Sequence, residues 1–348
     1  MKLQHFMTRR RFTFIAASLV FLVLWGTFPN RAFATKKTKK VVVAYVTSWT
    51  SVLPNADYIT HINYAFGHVT DSFNGVRIDN ENRLRTLVDL KKKHPHLHVL
   101  LSIGGWGSGR FSEMAATASN REAFAEDCAR VVEEFNLDGI DIDWEYPGSS
   151  AGGISSSPSD TENFTLLMRD IRKAVGKKKL LTLASVASGK YIAFKDIAET
   201  VDFVNIMTYD SGNPPRHHAS LYRSSMSGGT TCEEAVAAHV AAGMPLEKLV
   251  LGIPFYGRGN NKETKNFVHY KDLLQLKGLQ PKWDDEAKAD YMVNAEGEFV
   301  LTYETPESIA LKCTYVLDKG MLGAMYWEYA GDTDEGTLRN AVYHGIMK

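Results

Sequence analysis

Apolar residues along this chain fall into short runs separated by segments with helical spacing. Eight runs read as strands: Val41–Thr47, Ile59–Phe66, Leu97–Ile103, Leu137–Trp144, Leu180–Val186, Val201–Thr208, Leu249–Phe255 and Met321–Trp327. Between them, apolar positions recur at three and four residues. In Arg121–Phe135, Phe124, Cys128, Val131, Val132 and Phe135 form one stripe, and in Thr161–Val175 it is Phe164, Leu167, Met168, Ile171 and Val175. Glu81–His94, Glu233–Ala242, Pro306–Leu317 and Thr337–Ile346 continue the helical set, the first stopping at Pro95. A parallel strand pair needs a crossover, so strands alternating with helices predict a parallel sheet. Eight such units predict an α/β fold, a closed (β/α)8 TIM barrel with a short insertion after strand 7. No glycine-rich dinucleotide loop follows the first strand, which disfavours an open doubly wound sheet.

Two stretches fall outside the eightfold pattern. Gly148–Pro158 is rich in Gly and Ser and reads as a mobile loop after the fourth strand. Residues Asn260–Tyr303 form the insertion, with Asn294-Ala295-Glu296-Gly297 between apolar runs predicting a hairpin.

The first 34 residues have their own order. Arg9-Arg10-Arg11 precedes the apolar stretch Phe12–Phe28, and Ala32-Phe33-Ala34 closes it. Basic, apolar, then small residues is the layout of a signal peptide, so residues 1–34 are expected to be cleaved on export, Sec-type or twin-arginine, to the periplasm or outside the cell. That leaves residues 35–348 as one catalytic domain. Residues 1–34 hold five Lys or Arg and no acid, so the remainder carries 35 basic against 40 acidic side chains. A mildly acidic chain without a basic stripe excludes a nucleic-acid binder of the usual kind. Cys128, Cys232 and Cys313 are odd in number and widely spaced, and read as buried small hydrophobes. His94, His96 and His98 straddle Pro95 with no nearby acid to complete a ligand set, so no metal and no cofactor is expected. His217-His218 after two prolines reads as loop.

The chemistry concentrates in Asp138-Gly139-Ile140-Asp141-Ile142-Asp143-Trp144-Glu145. Strand side chains alternate, so Asp141, Asp143 and Glu145 share one face while Ile140, Ile142 and Trp144 share the other. With the apolar set against the outer helices, the acids line the barrel interior and lead to its catalytic mouth. Like charges this close cannot all ionise, so at least one holds a proton near neutral pH. Proton transfer is the natural use of such a ladder.

The same eight residues resemble the D-G-x-D-x-D-x-E signature of family 18 glycoside hydrolases, the chitinases and their relatives, at every fixed position. Ser102-Ile103-Gly104-Gly105-Trp106 before it, and Met207-Thr208-Tyr209-Asp210, Gly252–Arg258 and Tyr326-Trp327-Glu328 after it, are similar to that family's other motifs and agree in order. The resemblance spans about Val41 to Lys348. It implies that the substrate's own 2-acetamido oxygen is the nucleophile, an exception to the two-carboxylate rule. Glu145 would protonate the glycosidic oxygen and later deprotonate water, with net retention. Asp143 would orient the acetamido N–H and stabilise positive charge, interacting in turn with Asp141 and Glu145. Tyr209 would donate to the acetamido oxygen.

Strand ends point to the sugar-binding wall: Trp327 as floor, with Tyr45, Phe66, Trp106 and Tyr256 around it. Met207, Asp210 and Arg258 are expected to line the pocket. Ser102, Gly104 and Gly105 are expected to make room beside the ladder. The implied partner is an N-acetylglucosamine oligo- or polysaccharide, handled by a monomer without nucleic acid or stable membrane association. Two other activities share the motif: an endo-β-N-acetylglucosaminidase acting on N-glycans, and a non-catalytic chitin-binding lectin. The latter typically lacks the acid that Glu145 supplies here. A short insertion predicts an open cleft, suited to internal cleavage or short substrates.

Overall fold

The computed structural model describes residues 39–348, so the expected signal peptide lies outside the described residues. The alternation in Val41–Thr47 becomes the first barrel strand, β1. Val41, Val43 and Tyr45 pack inside the barrel, while Val42, Ala44 and Val46 pack outward under the helices. Seven more parallel strands follow: β2 (His61–Val69), β3 (His98–Gly104), β4 (Gly139–Asp143), β5 (Leu180–Val186), β6 (Phe203–Met207), β7 (Leu249–Pro254) and β8 (Gly323–Trp327). Each pairs with its neighbour in chain order, and β1 pairs with both β2 and β8, which closes the barrel.

Six longer helices cover the outside: α1 (Glu81–Asp89), α2 (Ala118–Glu134), α3 (Asp160–Val175), α4 (Cys232–Ala241), α5 (Pro306–Lys319) and α6 (Thr337–Ile346). Their starts follow local chemistry. Thr231 and Glu234 form a reciprocal cap on α4, and Thr305 caps α5 with Pro306 at its first position. The three cysteines are free, buried and carried by α2, α4 and α5. Among the described residues, no helix is long and apolar enough to cross a membrane.

Three elements depart from the pattern. β2 runs past Phe66 to Val69 because an antiparallel strand, Val76–Ile78, supplies partners for Gly67–Val69. The insertion begins earlier than Asn260. Tyr256–Gly259 already belongs to its five-stranded antiparallel sheet, beside Val268–His269 on one side and Phe299–Tyr303 on the other. The predicted Asn294–Gly297 hairpin joins the sheet's strands Ala289–Val293 and Phe299–Tyr303. The Gly/Ser loop is held at both ends, since Asp160 accepts from Gly148 N, Ser157 N and Ser112 Oγ. That anchoring opposes the mobility expected from composition.

Candidate active site

β4 places its acids as the alternation requires. Ile140, Ile142 and Trp144 pack outward, Trp144 stacking on Phe111 at 5.3 Å between centroids. Asp141, Asp143 and Glu145 are 0%, 4% and 9% exposed, so the ladder rises from the closed interior to the mouth.

Each carboxyl meets a different environment. Asp141 sits in a ring of donors: Tyr45 OH (2.9 Å) and Ser102 Oγ (2.8 Å) to Oδ2, Thr182 Oγ1 (2.5 Å) and Asn205 Nδ2 (3.3 Å) to Oδ1. Burial pushes its carboxyl up and these four bonds pull it back, which favours the ionised form relative to its neighbour. Asp143 has no such seat, and its buried Oδ1 has no hydrogen-bond partner. Burial, then the charges of Glu145 and Asp141, push it well above the usual carboxylate range, so it holds a proton. Glu145 is pushed up to about 7, by burial first and by the charge of Asp210, against a hydrogen bond from Tyr146. The ladder therefore grades from the carboxyl best supplied with donors, at its base, to proton-holding groups above.

Ser102 thus bonds the ladder directly, beyond the space-making expected of it. Gly104 and Gly105 meet a stricter need. Gly104 has φ +130°, and a Cβ there would lie 2.0 Å from the Asp143 carbonyl oxygen. Gly105 donates its N–H to that oxygen at 2.8 Å, and its own Cβ would enter the Phe66 ring. Gly104→Ala is expected to cost about 3 kcal/mol or more through strain and displacement of β4. Thermal unfolding checks this against Gly109→Ala, an uncrowded position in the loop that follows β3, which should move stability by under about 0.5 kcal/mol.

Above the ladder opens a cavity of about 610 Å³. Tyr45, Phe66, Trp106, Met207, Tyr209, Asp210, Tyr256, Arg258 and Trp327 all line it beside Asp143 and Glu145. Phe66 and Trp327 stack at 5.6 Å and 18°. Trp106 is 65% exposed at the rim. Burial above all keeps the Tyr209 phenol protonated and hence a neutral donor. Asp210 takes a left-handed backbone, φ +58°. Arg258 grips both its oxygens at 2.7 Å, and Tyr256 OH donates to Oδ1 at 2.7 Å. Burial alone would raise this carboxyl, but His218 and Arg258 hold it well below the usual range.

Four lining residues escape sequence reasoning: Trp49, Tyr146, Ala184 and Phe267. Trp49 lies two residues past β1 and Tyr146 directly follows Glu145, so the strand-end rule reaches both if extended slightly. Phe267 comes from the insertion, where no strand end marks it. His217 and His218 are fully buried, His217 Nε2 bonding Asp284 Oδ2 at 3.1 Å and His218 Nδ1 standing 3.6 Å from Asp210 Oδ1. Of the other histidines, His94 contacts Asp57 and His98 stacks on His61. Among the described residues, no group of three or more His, Cys, Asp or Glu side chains is placed to hold a metal.

Comparison with known proteins gives a consistent result. The family model described as Glycosyl hydrolases family 18 matches residues 41–332. Chitinase A1 of Niallia circulans is 37% identical over 305 residues, covering 74% of this chain and 44% of that protein. Chitinase 1 of Aphanocladium album is 29% identical, covering 77% of this chain and 70% of its own length. The chain thus spans less than half of the bacterial relative. Among solved structures, the chain is similar to the family 18 N-acetylglucosaminidase from Paenibacillus barengoltzii, with TM-score 0.80 and 34% identity. The match covers 88% of this chain and all of that one.

Proposed function

Since the chain belongs to glycoside hydrolase family 18, we propose that it hydrolyses β-1,4 bonds between N-acetylglucosamine units by a retaining, substrate-assisted route. One observation carries the reading. Of the carboxyls in the cavity, Glu145 alone combines a proton held to about neutral pH with a place at the ladder's mouth. Asp210 is tied by Arg258 and Tyr256, and Asp143 is a protonated neighbour, so neither stands as a free carboxylate nucleophile. The substrate's acetamido oxygen supplies that role.

The steps follow from where protons reside. Glu145 gives its proton to the glycosidic oxygen, and the acetamido oxygen closes on the anomeric carbon as the bond breaks. Tyr209, a neutral donor, holds that oxygen in line. Asp143, free at Oδ1, takes the acetamido N–H and faces the positive charge of the resulting ring. As that charge grows, Asp143 ionises more readily, and its proton interaction moves toward Asp141, whose four donors can relax to share it. Water then attacks, losing its proton to Glu145.

Chitopentaose separates this from its rivals. Short oligomers released first as the β-anomer, read by NMR, support the proposal. An intact pentamer together with a cleaved high-mannose glycopeptide moves the activity to N-glycans, and binding without cleavage of either points to a lectin. A further reading, release of single N-acetylglucosamine from chain ends, draws support from the Paenibacillus neighbour of that name. Monomer as the first product would establish it. Residues 1–34 are proposed as the export signal, which N-terminal sequencing of the secreted protein tests.

A further inference from the structure

Three aromatic rings of the cavity come from distant parts of the chain. Trp49 belongs to the loop after β1, Trp327 ends β8, and Phe267 comes from the insertion. Trp49 and Trp327 lie 6.5 Å apart, and Phe267 stacks on Tyr256 at 4.5 Å. One buried group outside the cavity's lining touches or faces all three supports.

That group is Glu328, 3% exposed, immediately after Trp327. Its Oε2 accepts from Ala330 N at 3.1 Å and from Thr47 Oγ1 at 3.3 Å, which joins the ends of β8 and β1. Thr47 is clamped from the other side by Arg83, itself only 8% exposed. Arg83 Nε donates to Thr47 O at 2.8 Å, and Nη2 donates to Thr50 Oγ1 and Val52 O. Trp49 therefore sits in a loop gripped between a buried cation and a buried carboxyl. Tyr329, next in sequence, adds a second tie by accepting from Asn55 N at 2.8 Å.

The other oxygen is the unusual one. Glu328 Oε1 is buried without a hydrogen-bond partner, and so is His269 Nδ1, 3.9 Å away. His269 follows Phe267 by two residues. Two unpartnered buried polar atoms facing one another are costly, and closing the gap by under about 1 Å would satisfy both. Burial also pushes the Glu328 carboxyl up.

We propose that Glu328 is a positioning residue that sets the spacing of Trp49, Trp327 and Phe267, and that its joint with His269 closes when a sugar chain lies against those rings. Glu328 does not reach the substrate itself. It determines how well the aromatic wall is formed before binding, and therefore how much of the binding energy is lost to ordering that wall. The sugar in this statement rests on the function proposed above, whereas the placement of the rings does not.

Incorporation of 5-fluorotryptophan and 19F NMR of the ligand-free protein test the placement. In Glu328→Ala, the Trp49 and Trp327 resonances are expected to shift, while those of Trp106, Trp144 and Trp283 stay in place. Thr47→Val, which removes one donor and suits a strand, is expected to shift Trp49 alone. Glu328→Gln keeps an acceptor for Ala330 and Thr47 and offers an N–H to His269, so it should retain the wild-type spectrum. With chitopentaose, Glu328→Ala should raise KM about tenfold and lower kcat by less than about threefold. Unmoved Trp49 and Trp327 resonances in Glu328→Ala, or an unmoved Trp49 in Thr47→Val, would overturn the proposal, as would a loss confined to kcat. If Glu328→Ala does not fold, the Thr47→Val spectrum decides. A wild-type protein inert toward chitopentaose refutes the functional reading and leaves the resonance test standing.

Discussion

Glu145→Gln is expected to lower kcat on chitopentaose by a factor on the order of 10²–10⁴, the range set by loss of a positioned general acid. The amide matches the carboxyl in shape and is neutral, as is the protonated acid it replaces. Folding and ground-state binding should therefore survive, with a dissociation constant for chitopentaose within about threefold of wild type by calorimetry. The pH dependence gives a second handle. Catalysis needs the protonated carboxyl, so wild-type kcat/KM should fall as pH rises through about 7. The residual activity of the Gln variant should lack that limb. Stability has the same sign. A carboxyl whose value is raised on folding favours the native state below its unfolded value, and that contribution is lost as pH rises through about 7. Above neutral pH the Gln variant should accordingly be the more stable protein. A wild-type rate in Glu145→Gln would sink the assignment.

Asp143→Asn is expected to lower kcat about 10²-fold with little change in KM. The ground state is the reason for the small KM effect. Asp143 is buried, lacks a partner at Oδ1 and holds its proton between two other acids, so a neutral amide reproduces it well. Unfolding at neutral pH should be unaffected or slightly harder, since the buried acid cluster loses a member. The difference appears when positive charge forms on the sugar. An amide cannot become an anion, and the stabilisation specific to the transition state disappears. Initial rates and melting temperatures measured on one preparation test both halves. An unchanged kcat would mean that Asp143 serves only packing.

How far the sequence discloses this molecule depends on where each signal is stored. Strand periodicity is local, so Val41–Thr47 and the face shared by Asp141, Asp143 and Glu145 are legible from alternation alone. The extension of β2 to Val69 is not, because its partner Val76–Ile78 lies beyond a turn and only pairing makes either a strand. Tyr256 and Arg258 read as the end of a barrel strand, yet they form the first strand of the inserted sheet. What separates the two is a change of partner at Phe255, not a change in composition. The Gly/Ser loop looks mobile because composition does not reveal that Asp160, beyond its end, returns to hold it. Asp141 reads as one more acid in the ladder. Its distinct state depends on four donors remote in sequence, which no window around β4 contains.

Those four donors have a consequence for how such a protein can change. Tyr45, Ser102, Thr182 and Asn205 stand on β1, β3, β5 and β6, so one carboxylate is seated by four strands besides its own. Loops at the mouth can be lengthened, shortened or exchanged without touching that seat, which leaves substrate range open to revision. The proton chemistry has no such freedom. A half-barrel fragment, or a graft of the acidic strand onto another scaffold, would carry the motif but lose the donors that make its three acids unequal. In this fold the specificity is modular and the reactivity is indivisible.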